Sequence, residues 1–577
     1  MSLTANPLVG AWRDASALGP IASVKILRLK AQKKRRNPKL RREILRSKGS
    51  LPDFGFGISH FGFQAPSQDL HRKDAKSARN LFPEPPLRPS RLCGENFLPL
   101  SPIDWLCDPI TGLSWNKQAA AIRKSSDIKH VWELNRCQHL TTLSQRYAVT
   151  KSKKIAREVK AQLLSWIEQN PFGEGVNWAS PLEIGIRLIS WCLALQLLRD
   201  AKGVRKEDWN RIVQSILQQA RFLEVNLSLD KVVRCNHLIG ELAGLITVGA
   251  CFPHFVESDR WVREGLAHFV EEIYAQTFGD GGSKEHSVTY HRFVVEYILI
   301  VRLMIKDSHP TERGLLERRL EPMLEYLMWT IQPDWNMPHL GDCDDGRGIK
   351  LSETTDFLDC RGWLAAGGVI LHRGDFKTVA GDFNEEARWL LGDEGAGQFQ
   401  SLDPEPPEPG LKIFPESGHA VIRSGWDAHA DYLFIRCGPF GLGGDYHCSH
   451  SHCDMLSPIL FVAGQPILSD SGTFVYNSDL AWRKLFRGTG AHNTITVEGI
   501  EQATFYDTFK WVGVPESKWL RWEESNDRIL LAGESIYKPG VRVTRWITYR
   551  PGDRTWRFED RVEALKKNLQ DRKGLWF

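Results

Sequence analysis

The chain has 577 residues, of which 42% are hydrophobic and 25% charged, so it is a globular sequence too long for one ordinary core, and two or more domains are expected. Its net charge of +5 arises in residues 25–48, where twelve Lys and Arg face one acid, Glu43, while the remainder sums to −6. This distribution excludes a basic groove on the folded domains, and no nucleic-acid partner is predicted. The basic segment is interpreted as a solvated leader; contact with nucleic acid, an anionic membrane surface or an acidic polymer is the alternative.

The cysteines and the apolar runs bear on the compartment. The eleven Cys are scattered and include no CxxC pair, which argues against a disulfide framework. No N-terminal run has the pattern of a secretory signal, and no run reaches the length of a membrane span. No integral membrane segment is therefore predicted, and the compartment stays open.

Three regions follow one another along the chain. Residues 1–90 combine the basic run with Pro- and Gly-rich pieces and are predicted to be largely irregular. Residues 91–400 are predicted to be helical, with apolar residues at helical spacing from Ile155 onward. Further helices are predicted at 182–198, 209–223, 238–248, 266–274, 293–304 and 315–331. Several, such as IGIRLISWCLALQLL, are apolar nearly all round, as in the inner ring of a helical toroid. Residues 401–577 show the alternation of an antiparallel β-sandwich, and the closing GLWF resembles a strand cut short.

Two clusters of polar residues interrupt the helical half. In RCNHLIGELAG, His237 and Glu241 lie one turn apart on one helix face, so the carboxylate could orient the imidazole beside the amide of Asn236. The alternative is a helix cap and a core histidine. In FGDGGSKEHSVTYHRF, a Gly-rich turn precedes Glu285 and Tyr290, and glycines let a backbone approach a ligand. The alternative here is ordinary packing.

The second half contains the densest group of potential ligands. The segment HCSHSHCDMLS is predicted to be an extended strand, which would point His450, His452 and Asp454 to one face. Asp470 follows an apolar run, and His492 opens the run NTITV. Imidazoles with one carboxylate are what a zinc-like divalent ion binds. The alternative is a solvated, polar sheet face.

Taken together, these residues resemble the heparinase II/III family of polysaccharide lyases. The similarity runs from PIDWLCDP and WELNRCQHL through NHLIGE, DGGSKEHSVTY and HLGDCDDGR to HSHCD, DSGTFVY and WRKLFRGTGAHNT, from about residue 95 to the end. The resemblance implies an N-terminal incomplete (α/α) toroid followed by an antiparallel β-sandwich. It also implies an acidic, uronate-containing polysaccharide as the partner, cleaved by β-elimination between the two domains.

The resemblance also assigns roles to individual residues. Asn236, together with His237, would hold the uronate carboxyl group. Tyr290 would be the general acid, and also the base where the substrate stereochemistry places both protons on one side. His450, or His237 in some relatives, is the candidate base. Substrate contacts are assigned to Glu241, Glu285 and Tyr476. One structural zinc ion is assigned to His452, Asp470 and His492.

Alternatives remain open at this level. Cys448 and Cys453 crowd the metal segment, so thiolate ligation competes with the predicted ligand set. The resemblance places such proteins in the periplasm or cell envelope, with the cytoplasm as the alternative. Two other function classes compete: a non-catalytic protein of the same fold that binds, assembles or trims surface polysaccharide, and a hydrolase using Asp342, Asp344 and Asp345. The sequence selects neither the uronate, nor endo or exo cleavage, nor the oligomeric state.

Overall fold

A computed structural model describes residues 103–115, 126–202, 205–497, 499–565 and 574–575. The predicted irregular region 1–90 lies outside the described residues. In the described part, twelve α-helices precede the first strand. They are α1 (Ile128–Asn135), α2 (Gln138–Thr150), α3 (Lys153–Gln169), α4 (Pro181–Leu198), α5 (Lys206–Glu224), α6 (Asn236–Cys251), α7 (Ser258–Gln276), α8 (Val288–Ile305), α9 (Pro310–Thr330), α10 (Arg361–Leu371), α11 (Gly374–Ala380) and α12 (Glu385–Ser401).

The seven helices predicted from apolar spacing are confirmed as α3 to α9. Helices α10 to α12 were not predicted. In α10, Gly362, Gly367 and Gly368 weaken the intrinsic helix propensity, and fully buried Trp363 packs the helix into the core. Tertiary packing therefore stabilises a helix that the local sequence does not predict.

Helices α4 and α6 lie at the centre of the helical domain, where their backbones touch. A Cβ atom added at Gly185 would stand 2.6 Å from the carbonyl oxygen of Gly240, so this crossing requires glycine. In the described part, α4 alone is long and apolar enough to cross a membrane, contrary to the expectation that no run has that length. Within the protein, 94% of this helix is buried, as the inner ring of a toroid requires.

Two antiparallel sheets follow the helices and form the sandwich. The first contains β1 (Gly410–Phe414), β2 (His419–Arg423), β3 (Tyr432–Arg436), β4 (Ile459–Val462) and β5 (Gln465–Leu468), paired in that order. The second contains β9 (Glu516–Glu524), β10 (Ile529–Tyr537), β11 (Val541–Arg550) and β12 (Thr555–Ala564), also in sequence order. Two short pairs join β6 (Thr496–Val497) to β13 (Gly574–Leu575) and β7 (Thr504–Asp507) to β8 (Lys510–Val512). Helix α13 (Leu480–Arg487) lies between β5 and β6.

The central strands β2 and β3 of the first sheet are buried on both faces, and this position brings the two domains together. Side chains alternate along a strand, so Leu433 and Ile435 of β3 pack against the second sheet. Tyr432 and Phe434 point the other way, into the core of the helical domain. The hydroxyl of Tyr432 donates to the carbonyl of Thr330 at the end of α9, at 2.9 Å. The predicted toroid followed by a sandwich is thus confirmed, with a shared core at the seam.

The predicted boundary at residues 400/401 stays a prediction; the last helix of the helical domain ends at Ser401 and β1 begins at Gly410.

One predicted strand was wrong. The segment HCSHSHCDMLS is a series of turns and irregular backbone, with Cys448 and Leu456 at positive φ. Two of its carbonyl groups are satisfied by a side chain: the buried guanidinium of Arg487 donates to Ser449 O and Ser451 O, each at 3.0 Å. The predicted common face also fails, since Asp454 turns away from the two histidines to bind Arg436 at 2.7 Å.

Candidate active site

Asp342 connects the two histidines of this loop to the helical domain. The carboxylate is fully buried, with Oδ2 at 2.9 Å from His450 Nδ1 and Oδ1 at 3.0 Å from His452 Nε2. Arg483 of α13 binds both carboxylate oxygens. Burial acts to raise the pKa of Asp342, but Arg483 and the two imidazoles outweigh it and hold the pKa well below the usual range. Asp342 is therefore a fixed anion that orients both rings.

Tyr290 lies in the first turn of α8 and faces the same loop. Ser287 caps the helix by accepting from Tyr290 N at 3.2 Å, and its hydroxyl donates to Asp342 O at 2.5 Å. The phenol ring stacks on His450 with a centroid separation of 3.9 Å and an interplanar angle of 22°. A residue of the helical domain and one of the sandwich thus form one surface.

The Tyr290 hydroxyl contacts a second phenol and a second buried carboxylate. It lies 3.2 Å from the hydroxyl of Tyr476 and donates to Asp344 Oδ2 at 3.1 Å. Lys129 of α1 binds the same Asp344 oxygen, and this contact overcomes the effect of burial and holds the pKa of Asp344 well below its usual range. Burial and the two aspartates raise the pKa of Tyr290 well above its ordinary value. The phenol therefore keeps its proton.

Asn236 is connected to His450 through the carboxylate of Glu285. The backbone N–H and side-chain Nδ2 of Asn236 each donate to the Glu285 carboxylate at 2.7 Å, and Glu285 Oε2 lies 3.5 Å from His450 Nε2. Asn236 Oδ1 is buried without a hydrogen-bond partner among the described residues. A buried amide oxygen with unused capacity is expected where a ligand completes the hydrogen bonding.

His237 and Glu241 do not form the pair that the sequence suggested. Glu241 accepts from the backbone N–H and the hydroxyl of Ser228, both at 2.7 Å, so its two oxygens are occupied by a neighbouring turn. Burial raises the pKa of Glu241 to about 7. Burial, with the positive charge of Lys231 nearby and with His450, lowers the pKa of His237 well below its ordinary value. His237 is therefore a neutral imidazole in the vicinity of His450.

The predicted zinc ligands lie beside this group. His452 Nδ1 and His492 Nε2 are both buried without a hydrogen-bond partner in the described part, and the two rings are 5.5 Å apart. Asp470 Oδ2 lies 2.7 Å from His492 Nδ1. Burial lowers the pKa of His452 to about 4, which leaves it neutral, as metal ligation requires. The residue types are those that zinc binds, but the described residues contain no group of three His, Cys, Asp or Glu side chains that could hold a metal ion, and Asp470 bonds the other nitrogen of His492.

The two cysteines of the loop are poor ligands. Burial raises the pKa of Cys448 to about 11, and it raises the pKa of Cys453 further. Their thiols point to the backbone carbonyls of Gly444 and Ala503. Thiolate ligation is not supported by the geometry, because both thiols are directed to backbone carbonyls.

A cleft opens from these residues to solvent at the seam. The free space in the cleft, with the open solvent at its mouth included, is about 370 Å³. The helical domain contributes Val233, Cys235 and Glu285, and the sandwich contributes Leu442, His447 and Ser449. Glu285 therefore connects the cleft to both Asn236 and His450.

Ten residues were predicted at candidate sites from the sequence. The charged side chains that hold these residues in position were not predicted as part of the site. Asp342 and Asp344 entered only as acids of a possible hydrolase, and Arg483 and Lys129 were not considered. HLGDCDDGR entered only as a motif of the family resemblance, because nothing local indicates that its carboxylates meet α1 and α13. The available signal was the run of acids within a motif of the family resemblance.

The fold and the site together define a protein of two domains, a helical toroid and a β-sandwich, with a buried polar site at their seam. Sequence comparison identifies the family: the model described as Heparinase II/III N-terminus matches residues 92–359, and the model described as Heparinase II/III-like, C-terminal, matches residues 406–569. The chain belongs to the heparinase II/III family.

Individual relatives are distant. A heparin-sulfate lyase of Pedobacter heparinus is 23% identical over 436 residues, covering 72% of this chain and 58% of that protein. A heparin-sulfate lyase of Bacteroides stercoris is 25% identical over 437 residues, covering 70% and 58%. The chain thus spans somewhat over half the length of these curated relatives. Among solved structures, heparinase III superposes with a TM-score of 0.57 at 19% identity, covering 75% of this chain and 62% of that one. A heparan sulfate lyase from Pedobacter heparinus superposes with a TM-score of 0.51 at 21% identity, covering 80% and 64%.

Proposed function

We propose that the protein is a polysaccharide lyase that cleaves an acidic, uronate-containing glycan by β-elimination. The observation that carries the proposal is the stacking of Tyr290 on His450 at 3.9 Å, with the amide of Asn236 linked to the same imidazole through Glu285. An acid, a base and a carboxyl-binding amide are the three groups this reaction needs, and Glu285, which lines the cleft between the domains, contacts both Asn236 and His450.

The reaction removes the C5 proton of the uronate, breaks the C4–O4 bond and forms a C4–C5 double bond, while O4 takes up a proton. Negative charge develops on the uronate carboxyl group as the C5 proton leaves, so a fixed donor there lowers the barrier. Asn236 is assigned this role, with His237 beside it. Its first amide hydrogen is engaged by Glu285, and the second remains to bind substrate.

The proton-transfer roles follow from the electrostatics. Burial, Asp344 and Asp342 raise the pKa of Tyr290, so the phenol carries its proton before the reaction, and it is assigned as the general acid that passes this proton to O4. His450 is assigned as the base: Asp342 engages Nδ1, which leaves Nε2 on the side of Glu285 and the cleft. His237, whose pKa is lowered well below its ordinary value by burial, is the second candidate for this role.

The assay that tests the proposal is product formation. Purified protein incubated with heparan sulfate, alginate and hyaluronan is expected to yield oligosaccharides with an unsaturated end, detected by near-ultraviolet absorbance and mass spectrometry. Heparan sulfate comes first because the relatives are named for heparin-sulfate cleavage. Products that carry an added water and no double bond would reject elimination.

The two competing functions are less well supported. A hydrolase needs one carboxylic acid that still carries a proton, whereas two of the three acids considered for it, Asp342 and Asp344, are held in the ionised form by cations. A non-catalytic glycan-binding protein has no need of a phenol and an imidazole stacked beside unused hydrogen-bonding groups. The names of the relatives also favour the enzyme.

We propose further that one structural zinc ion is held by His452, Asp470 and His492. The support is the pair of buried imidazole nitrogens without partners and the nearby carboxylate. The ion would brace the loop that carries His450. On the other side of His452, Asp342 holds Nε2, an arrangement in which an outer carboxylate orients a ligating imidazole.

The zinc assignment predicts a coupled loss of metal and stability. The His452→Ala variant is expected to lose about one equivalent of zinc per chain and to melt roughly 5 °C or more below the wild type, because ligation contributes to folding. Metal content is measured by elemental mass spectrometry and melting by calorimetry. His429→Ala, at an exposed turn between β2 and β3, is the matched control and should keep both. Unchanged zinc stoichiometry in His452→Ala would remove His452 from the ligand set.

A further inference from the structure

Helix α13 buries its charged face and exposes its apolar face. Its buried residues are Arg483 and Arg487, whereas Trp482 and Leu485 are 48% and 55% exposed. A surface helix normally turns its apolar face to the core and its charges to water. Here the two guanidiniums hold Asp342 and the histidine loop, so the apolar face is left pointing outward. Core packing does not account for that face.

The exposed face forms an aromatic cluster with Phe474, named here the aromatic platform and composed of Phe474, Trp482 and Phe486. The ring of Phe474 stands 5.5 Å from that of Trp482 and 5.3 Å from that of Phe486, to which it is nearly parallel. Phe474 is 67% exposed. Adjacent exposed rings of this kind mark an interaction surface.

Phe474 is held in this position against its own backbone preference. Its φ is +57°, an uncommon conformation for a bulky residue that is retained where the surroundings enforce it. Thr473 Oγ1 accepts from Cys343 N at 2.6 Å, and Asn477 N donates to Asp127 at 2.8 Å. The segment is therefore anchored on both sides of Phe474. This anchoring favours a functional role for the exposed ring.

The platform is continuous with the candidate active site. Phe474 precedes Tyr476 by two residues, which limits the distance between their Cα atoms to about 7 Å, and Tyr476 contacts the Tyr290 hydroxyl. Arg483 projects from the opposite face of α13 to Asp342. A polysaccharide with one unit bound at Tyr290 would therefore need to extend only a short distance past Tyr476 to contact Phe474.

We propose that the aromatic platform is a distal subsite on which a sugar unit of the bound polysaccharide stacks, outside the unit that is cleaved. Sugars present an apolar C–H face that aromatic rings cover well, and aromatic side chains offer large contact area with few rotatable bonds. This proposal rests on the proposed function for its ligand, but it makes a separate claim about chain length. Long substrates gain from the platform and the shortest ones do not.

Binding measurements test the platform without requiring turnover. Titration calorimetry uses size-fractionated heparan sulfate and alginate, comparing a disaccharide with an octasaccharide, in the Tyr290→Phe background. Adding Phe474→Ala and Trp482→Ala is expected to weaken octasaccharide binding about tenfold or more, as expected for loss of buried ring area. Disaccharide binding should not change. Trp522→Ala on β9 removes an equally exposed Trp, also 48%, and should leave both affinities unchanged.

Several outcomes would overturn the subsite. Octasaccharide affinity that is the same with and without the two rings would do so, as would failure of the parent chain to bind either octasaccharide. A change in oligomeric state on light scattering, with affinity unchanged, would show that the platform joins two copies of the chain. Platform-dependent binding without any unsaturated product would instead support the subsite and reject the lyase.

Discussion

The Tyr290→Phe variant is expected to fold like the wild type and to lose turnover by about 10²–10⁴-fold, the usual contribution of a positioned proton-transfer group. Only the hydroxyl is removed, so stacking on His450 is retained. Asp344 keeps its contact with Lys129 and its bond from Gly346 N at 2.9 Å, so no buried charge loses its main partner. The loss should appear in kcat, with KM little changed.

Tyr476→Phe is the matched control, because it deletes a buried hydroxyl 3.2 Å from the first. A phenol that contacts substrate without transferring the proton should matter less, by about tenfold or below, which corresponds to one hydrogen bond. Steady-state rates with the best polymer, together with melting temperatures, separate the cases. Equal losses in the two variants would mean that the proton donor cannot be assigned to Tyr290 alone.

The architecture was predictable because it follows from the short-range periodicity of apolar residues along the chain. The spacing that places Ile155 and Leu163 on one face of α3 is local, and so is the alternation that divides β3 between two cores. The segment from His447 to Leu456 has no such guide. Its backbone is organised by Arg487, some forty positions later in the chain, so the alternation of His450 and His452 suggested a strand that does not exist.

Part of the candidate site could also be predicted from the sequence, and part could not. Residue type and order, through the family resemblance, selected Asn236, Tyr290 and His450, and the structure brings them together, while their roles stay predictions. Sequence could not supply the ion pairs beneath them, because Lys129 and Asp344 are more than two hundred positions apart. Such pairs depend on the closure of the toroid against the sandwich, which no local pattern encodes.

Asp342→Asn is expected to have the second large effect, on stability and activity together. The side chain bonds His450, His452 and Arg483, and all four groups are buried. Removing its charge leaves the Arg483 guanidinium uncompensated, which typically costs about 3–5 kcal/mol. The amide also cannot accept at both oxygen positions, so His450 loses its fixed orientation and kcat should fall by about 10²-fold or more.

A second substitution separates orientation from stability. In Asp342→Asn/Arg483→Met, both members of the buried ion pair are gone, and replacement of such a pair by apolar side chains often restores most of the lost stability. The double variant is therefore expected to melt close to the wild type while kcat stays low, because His450 Nδ1 still lacks its carboxylate. Recovery of kcat along with the melting temperature would show that Asp342 acts only through folding. Persistent inactivity in a stable protein would show that the carboxylate under His450 sets the geometry on which proton removal depends.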